Sequence, residues 1–195
     1  MGPEGYFALV SYLPHQLASC LTQIRKHFGM SARSEPHVTV LPRRPLARDL
    51  EKASRHALNV LSGFPAFQVE LSSVQLFAET NVLYLGISRG RSNLETLHAA
   101  LNTGQLAHKE EFEFLPHLTL GGPVQDGEAL QVHAQVAAEW EGADCPRSFL
   151  AGEIVCLWQA PDSDPGCWQP IWCHKLNAAT EALKPAASAA VVSRR

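Results

Sequence analysis

Two short stretches of the chain carry residues able to move protons. The first is "EPHVTVLP", Glu35 to Pro42, and the second is "LPHLTLGG", Leu115 to Gly122. Each contains Pro-His-x-Thr, with His37 and Thr39 in one and His117 and Thr119 in the other. In an extended strand, residues i and i+2 point to the same face. Each segment then presents a histidine and a threonine on one face and two aliphatic side chains on the other. Val38 and Val40 form the apolar face in the first segment, and Leu118 and Leu120 in the second. Near neutral pH one imidazole can be neutral and another protonated. Two histidines converging on one cleft can therefore take a proton from a nucleophile and give one to a leaving oxygen. That pair suits in-line attack on phosphorus, with the threonine hydroxyls donating to the non-bridging oxygens.

The elements around the two segments repeat as well. "YFALVSYLP" reads as a strand closed by Pro14, and "HQLASCLTQIRKHFG" places Leu17, Leu21, Ile24 and Phe28 at helical spacing. "ARDLEKASRHALNVLSGF" reads as a second helix, with Leu50, Ala53, Ala57, Leu58 and Leu61 on one face. "FQVELSSVQLF" and "VLYLGIS" flank "AETN" as a hairpin. The second half follows the same order: a helix in "NLETLHAALNTG", a strand in "EFEFLPHLTLGG" with a break at Pro116, and a helix in "EALQVHAQVAAEWEG". Two final strands follow in "SFLAGEIVCLWQAP" and "CWQPIWCHKLNA", with "DSDPG" as their turn. Internal duplication is the simplest account. If the halves face each other about a pseudo-twofold axis, both histidines and both threonines meet in one cleft.

Composition narrows the partners. The 195 residues have a formal net charge of −3, are 46% hydrophobic and 18% charged, and contain no apolar run long enough for a membrane span. A protein that grips a long duplex carries a basic face. An end, a short strand or a nucleotide is the expected nucleic-acid partner, with no long duplex and no membrane. The N-terminus lacks a basic region before its apolar stretch, so no secretory signal is expected and the cytoplasm is the expected location. The five cysteines, Cys20, Cys145, Cys156, Cys167 and Cys173, fit no disulfide framework and are expected to be free thiols. Cys167 and Cys173 flank an apolar strand-like run and are not expected to bind metal.

The pair of motifs in a duplicated chain resembles the 2H phosphoesterase superfamily, and within it the bacterial 2′-5′ RNA ligase-like proteins. The contexts "EPHVTVLPRRPL", "SVQLFAETNVLYLGI" and "FEFLPHLTLGG" carry that resemblance, which extends from Tyr6 to about Leu176. It implies an α+β fold of two pseudo-symmetric lobes, each an antiparallel sheet with helices outside and the cleft between. It implies one bilobal domain over residues 1–195, with the tail after about residue 177 peripheral. It also implies cofactor-free, metal-independent phosphodiester chemistry at 2′,3′-cyclic phosphates or 2′-5′ linkages. In that chemistry His37 and His117 are the acid/base pair, and Thr39 and Thr119 bind phosphate. One departure is visible. Many RNA ligase-like members have a basic residue soon after the second motif, where this chain has Gly121, Gly122 and Pro123.

Other residues are candidates of lower rank. Arg43 and Arg44 follow the first motif and can hold a phosphate. Tyr84 and Phe77 flank the hairpin turn and can stack on a base. His15, His27, His56, His98, His108 and His133 lie mostly on helices among charged neighbours and are expected to be solvated. A monomer is expected. Two other function classes stand beside the enzyme reading: a non-catalytic nucleotide or RNA binder of the same fold, and a two-histidine metal hydrolase. The second would need a third ligand, and no HxH, HExxH or acidic cluster adjoins either motif.

Overall fold

In this computed structural model, residues 5–30, 34–46, 49–164 and 166–178 are described. Pro165 of the expected turn and residues 179–195, most of the tail, lie outside the described residues. The first strand, β1 (Gly5–Tyr12), is apolar on both faces and buried along nearly its whole length, as a central strand should be. Helix α1 (His15–His27) follows, then β2 (His37–Leu46) and α2 (Leu50–Leu61). The hairpin β3 (Phe67–Phe77) and β4 (Val82–Ile87) turns through Asn81 at φ 51°. Next come α3 (Arg91–Leu101), a 3-10 turn at Gly104–Leu106, β5 (His117–Gly121) and α4 (Ala129–Gly142). The chain closes with β6 (Ser148–Ala151), β7 (Glu153–Gln159) and β8 (Gln169–Lys175).

These strands form two four-stranded antiparallel sheets, ordered β2-β1-β7-β8 and β5-β4-β3-β6. The architecture is α+β with two lobes related by pseudo-symmetry, in which β1 corresponds to β4, β2 to β5 and β7 to β3. Both motif strands, β2 and β5, are edge strands. Proline at positions 36 and 116 suits such a strand start, where no ladder donor is needed.

The lobes are not consecutive halves of the chain. The hairpin that follows the first half, β3–β4, sits in the sheet of the second motif, and β7–β8 return to the sheet of the first. The segment from Ser148 to Ala160, expected as one strand, is two strands in different sheets, with Gly152 between them. Hydrophobicity marks both as buried strands and says nothing about which sheet each joins. "EFEFLPHLTLGG" also differs from expectation. Its strand begins only at His117, and residues 107–116 run as irregular chain.

The helices bridge the lobes. Helix α3 packs against β2 and α2, while α1 packs against β5 and α4. The aliphatic faces of the motif strands belong to the shared core: Val38, Val40 and Leu118 are fully buried, and Leu120 is 1% exposed. Cys20 on α1 and Cys145 beyond α4 are joined as a disulfide with their Cα atoms 6.0 Å apart. This corrects the expectation of five free thiols, because two cysteines 125 residues apart meet only through the packing of α1 on α4. Cys156, in the core, remains a thiol whose pKa burial pushes up to about 12.

One charged side chain lies at the centre of this packing. Arg44, 1% exposed, donates to the carboxylate of Glu110, to Asn102 Oδ1, to the Leu106 carbonyl (both 2.7 Å) and to the Pro42 carbonyl. It ties β2 to the end of α3 and to the chain leading into β5. The second arginine after the first motif is thus committed to the fold and does not reach for phosphate. Strand alternation explains the split: Arg44 shares the core face of β2 with Val38 and Val40, and Arg43 shares the other face with Thr39. Removing one partner of a buried pair leaves the other unpaired, at a cost of about 3 kcal/mol or more. Arg44→Ala is expected to lose at least that in urea unfolding, and Arg43→Ala to change stability by less than about 0.5 kcal/mol.

Candidate active site

The two motifs build the same local structure. Proline biases the residue before it toward extended backbone. Glu35 and Leu115 occupy that position, and their carbonyls lie at 2.7 Å from the Nδ1 atoms of His37 and His117 respectively. A carbonyl can only accept, so each Nδ1 must carry the hydrogen. The tautomer is therefore fixed twice in the same way. Nε2 is left as the nitrogen able to exchange a proton, an acceptor when the ring is neutral and a donor when it is charged.

The surroundings of the two rings are related but unequal. In the first sheet Tyr12 lies across the ladder from His37 and Val10 from Thr39. The Tyr12 ring meets His37 edge-on at 5.9 Å. In the second sheet Gly86 lies across from His117 and Tyr84 from Thr119. His117 is held edge-on by Phe77 at 5.1 Å and Tyr84 at 5.4 Å. Tyr84 is 6% exposed, stacks on Phe77 at 4.0 Å and donates its hydroxyl to Gln75 Oε1 at 2.8 Å. It backs His117 and offers no free face to a base. Of the two rings beside the hairpin turn, Tyr84 is thus packed, and Phe77 is the aromatic that reaches the cleft.

The lobes meet where β2 lies beside β5. A cleft of about 990 Å³ opens there, and Thr39, Arg43, Phe77 and His117 are among its lining residues. His37 and Thr119 do not line this cavity. His37 is nonetheless close enough to His117 for a charge on the second ring to lower the pKa of the first. Thr39 is half-buried and Thr119 exposed. Arg43 is exposed and lies 3.5 Å over the Tyr6 ring, where cation–π attraction steadies it at the cleft wall.

Both histidine pKa values are lowered from the ordinary histidine range, chiefly by burial, and the carbonyl bonds of Glu35 and Leu115 act in the opposite direction. His37 feels two further positive neighbours, Arg25 and His117. Arg25 is a residue that the sequence reading did not single out. It is 5% exposed, and its guanidinium donates to the backbone carbonyls of Thr119 and Ser34. The helical spacing of α1 gives no sign of it, because an arginine in the last turn normally faces solvent.

His98 corrects the expectation of solvated helical histidines. It is 8% exposed, donates from Nδ1 to the Val40 carbonyl at 3.0 Å and stacks on Phe114 at 3.8 Å. Phe112, 60% exposed on the cleft lining, was also missed. The alternation in "EFEF" was its only trace, and it was read as strand. Among the described residues no three His, Cys, Asp or Glu side chains are grouped to hold a metal ion.

An α+β protein of two lobes, with matched histidines on facing edge strands, is the class this geometry defines. The chain belongs to the 2′-5′ RNA ligase superfamily, whose family model matches residues 13–162, and it is a 2H phosphoesterase. It is 26% identical over 133 residues to "Putative phosphoesterase GK0864" of Geobacillus kaustophilus, covering 67% of this chain and 76% of that protein. It is 28% identical over 103 residues to a "Putative phosphoesterase" of Geobacillus thermodenitrificans, covering 52% and 59%. Its fold matches that of E. coli LigT, solved in complex with 3′-AMP, at a TM-score of 0.60 and 17% identity, covering 89% of this chain and 99% of that one.

The electrostatics can be checked by nitrogen-edited NMR titration. Both rings are expected to titrate below about pH 6.5, the unperturbed histidine value. Removing His117 takes away a positive neighbour, so the His37 midpoint in His117→Ala should move upward. A midpoint that stays put or falls would break the coupling between the two rings.

Proposed function

We propose that the protein hydrolyses phosphodiesters at 2′,3′-cyclic phosphates or 2′-5′ linkages of nucleotides or RNA ends, by paired-histidine acid/base catalysis without a metal. The observation that carries this reading is the repeated bond from histidine Nδ1 to the carbonyl two residues earlier. A histidine kept only for packing has no need of a fixed tautomer. Two copies of the device, on edge strands that meet, prepare two Nε2 atoms for one reaction.

His37 is the base in this mechanism, since Arg25 and His117 both favour its neutral form. Its Nε2 takes a proton from water as the water oxygen bonds to phosphorus. The bond from phosphorus to the ribose oxygen breaks, and His117 Nε2–H gives its proton to that oxygen. The product is a phosphomonoester and a free hydroxyl, with the protons of the two rings exchanged. Thr39 and Thr119 donate to the non-bridging oxygens, and Arg43 balances part of the phosphate charge. Phe77 offers an apolar ring to the base.

Turnover of 2′,3′-cyclic nucleotides and 2′-5′ dinucleotides tests the proposal. His37→Ala and His117→Ala should each lose about 10²-fold or more in kcat/KM. The double variant should lose far less than the product of the two, because both rings serve one proton path. Thr39→Ala and Thr119→Ala should lose about tenfold. Activity should persist in excess EDTA. Wild-type turnover by either histidine variant would end the proposal.

The pH profile follows from the lowered pKa values. A base works above its pKa and an acid below its own, so lowering both moves both limbs of the bell to lower pH. The kcat/KM maximum is expected below about pH 6.5. A bound phosphate anion favours the charged rings, so the kcat profile should lie at higher pH than the kcat/KM profile. The two midpoints belong to the pair.

A further inference from the structure

The charge of the cleft selects among the substrates that the histidines can attack. Among its described lining residues are two guanidiniums, Arg43 and Arg91. Five carboxylates line the same space: Glu79, Glu95, Glu110, Glu111 and Glu113. Pairing removes some of these. Arg91 Nε donates to Glu95 at 2.8 Å, and Glu110 is held by Arg44. Arg43 is then left against Glu79, Glu111 and Glu113, all three exposed. Two of the three lie on the chain that leads into His117, and the third lies in the turn between β3 and β4, beside Phe77.

We propose, resting on the phosphodiesterase reading above, that the cleft takes substrates with a single phosphodiester and one base, and that Glu79, Glu111 and Glu113 turn away oligonucleotide ends. One phosphate can sit where His117, Thr39 and Arg43 line the cleft, beside the edge that carries His37. The phosphates of a longer strand would have to leave past the carboxylates, with no second unpaired cation among the described lining residues to receive them. Like charges set face to face disfavour the wrong partner, in proportion to how little salt screens them. Space and apolar surface agree with a small occupant. The cleft, at about 990 Å³, is of the size that holds a small molecule, and Phe77 and the exposed Phe112 give rings for one base.

The sign of the salt effect is the distinguishing feature. A protein that holds a strand through lysine and arginine loses affinity as salt rises. Here an oligonucleotide should gain, because salt screens its repulsion. The experiment compares kcat/KM for 2′,3′-cyclic AMP with that for a short oligoadenylate ending in the same cyclic phosphate. At low salt the mononucleotide should be favoured by about tenfold or more, and the ratio should shrink several-fold between about 20 mM and 300 mM KCl. In the combined Glu79→Gln, Glu111→Gln, Glu113→Gln variant, the ratio should shrink at low salt and lose most of its salt dependence. An oligoadenylate cleaved as well as the mononucleotide at low salt, or a ratio indifferent to both salt and the variant, overturns the inference. If neither compound is hydrolysed, the cyclic-phosphate part of the phosphodiesterase reading fails by itself. Calorimetric binding of 3′-AMP against a 3′-phosphorylated oligoadenylate then decides the selectivity, and equal or tighter binding of the oligonucleotide at low salt overturns it.

Discussion

Everything at the site depends on two sheet edges that cannot be left open. An edge strand carries backbone groups with no ladder partner on one side, and buried carbonyls must find donors. Here both histidine-bearing strands are edges, and the cleft opens where β2 and β5 meet without joining into one sheet. Each edge is satisfied by a side chain from a helix that packs across the lobe boundary. Arg25 on α1 donates to the Thr119 carbonyl on β5, and His98 on α3 donates to the Val40 carbonyl on β2. The helices α1 and α3 are pseudo-symmetric counterparts, so the two bonds answer the same need in the two lobes. The donors differ, and this difference makes a symmetric frame chemically unequal. The arginine puts a permanent charge beside His37, whereas His117 has no counterpart of it among its pKa influences.

Glycine secures the other end of the second motif. A Cβ on Gly121 would lie 2.7 Å from Met30 Cβ, and Gly122 holds φ at +125° with the Asn81 carbonyl 2.9 Å from where a Cβ would be. Those positions are closed to a long side chain by packing and by backbone conformation. The absence of a basic residue directly after the second motif is therefore a consequence of how β5 leaves the site. Arg43, which lines the cleft from the opposite lobe, follows the first motif instead.

What the sequence revealed was whatever has a period. The i, i+2 spacing put each histidine with its threonine and each aliphatic pair in the core, and helical spacing found the four α-helices of the described residues. Sheet membership was not legible, because Phe149 and Ile154 look alike in hydrophobicity while one belongs to β6 and the other to β7. Nor were long-range polar contacts. Arg44, His98 and Arg25 have the composition of surface residues and are buried only because partners 58 to 94 positions away meet them. Tyr84 shows the same limit. It stands beside the hairpin turn on the same ladder face as Phe77, yet its ring is covered by Phe77 and its hydroxyl is taken by Gln75, while Phe77 reaches the cleft.

The neighbouring arginines after the first motif show how the fold divides labour between adjacent residues. Arg44 is turned inward and fixes the chain from Asn102 to Glu110, which continues through Phe114, stacked on His98, to Leu115, whose carbonyl sets the His117 tautomer. Arg43 is turned outward onto Tyr6, at the wall of the cleft. A single dipeptide thereby anchors the chain that leads to one histidine and places a guanidinium on the cleft that Thr39 also lines. The inward member is fully desolvated and meets four acceptors, so its guanidinium geometry matters more than its charge. Lysine, with one compact ammonium group, cannot span the same set. The outward member keeps its charge exposed and lays a flat face over an aromatic ring. The same residue type thus appears twice in succession with different physical surroundings, and strand alternation, which sets Arg44 on the face of Val38 and Val40, decides which surroundings each meets.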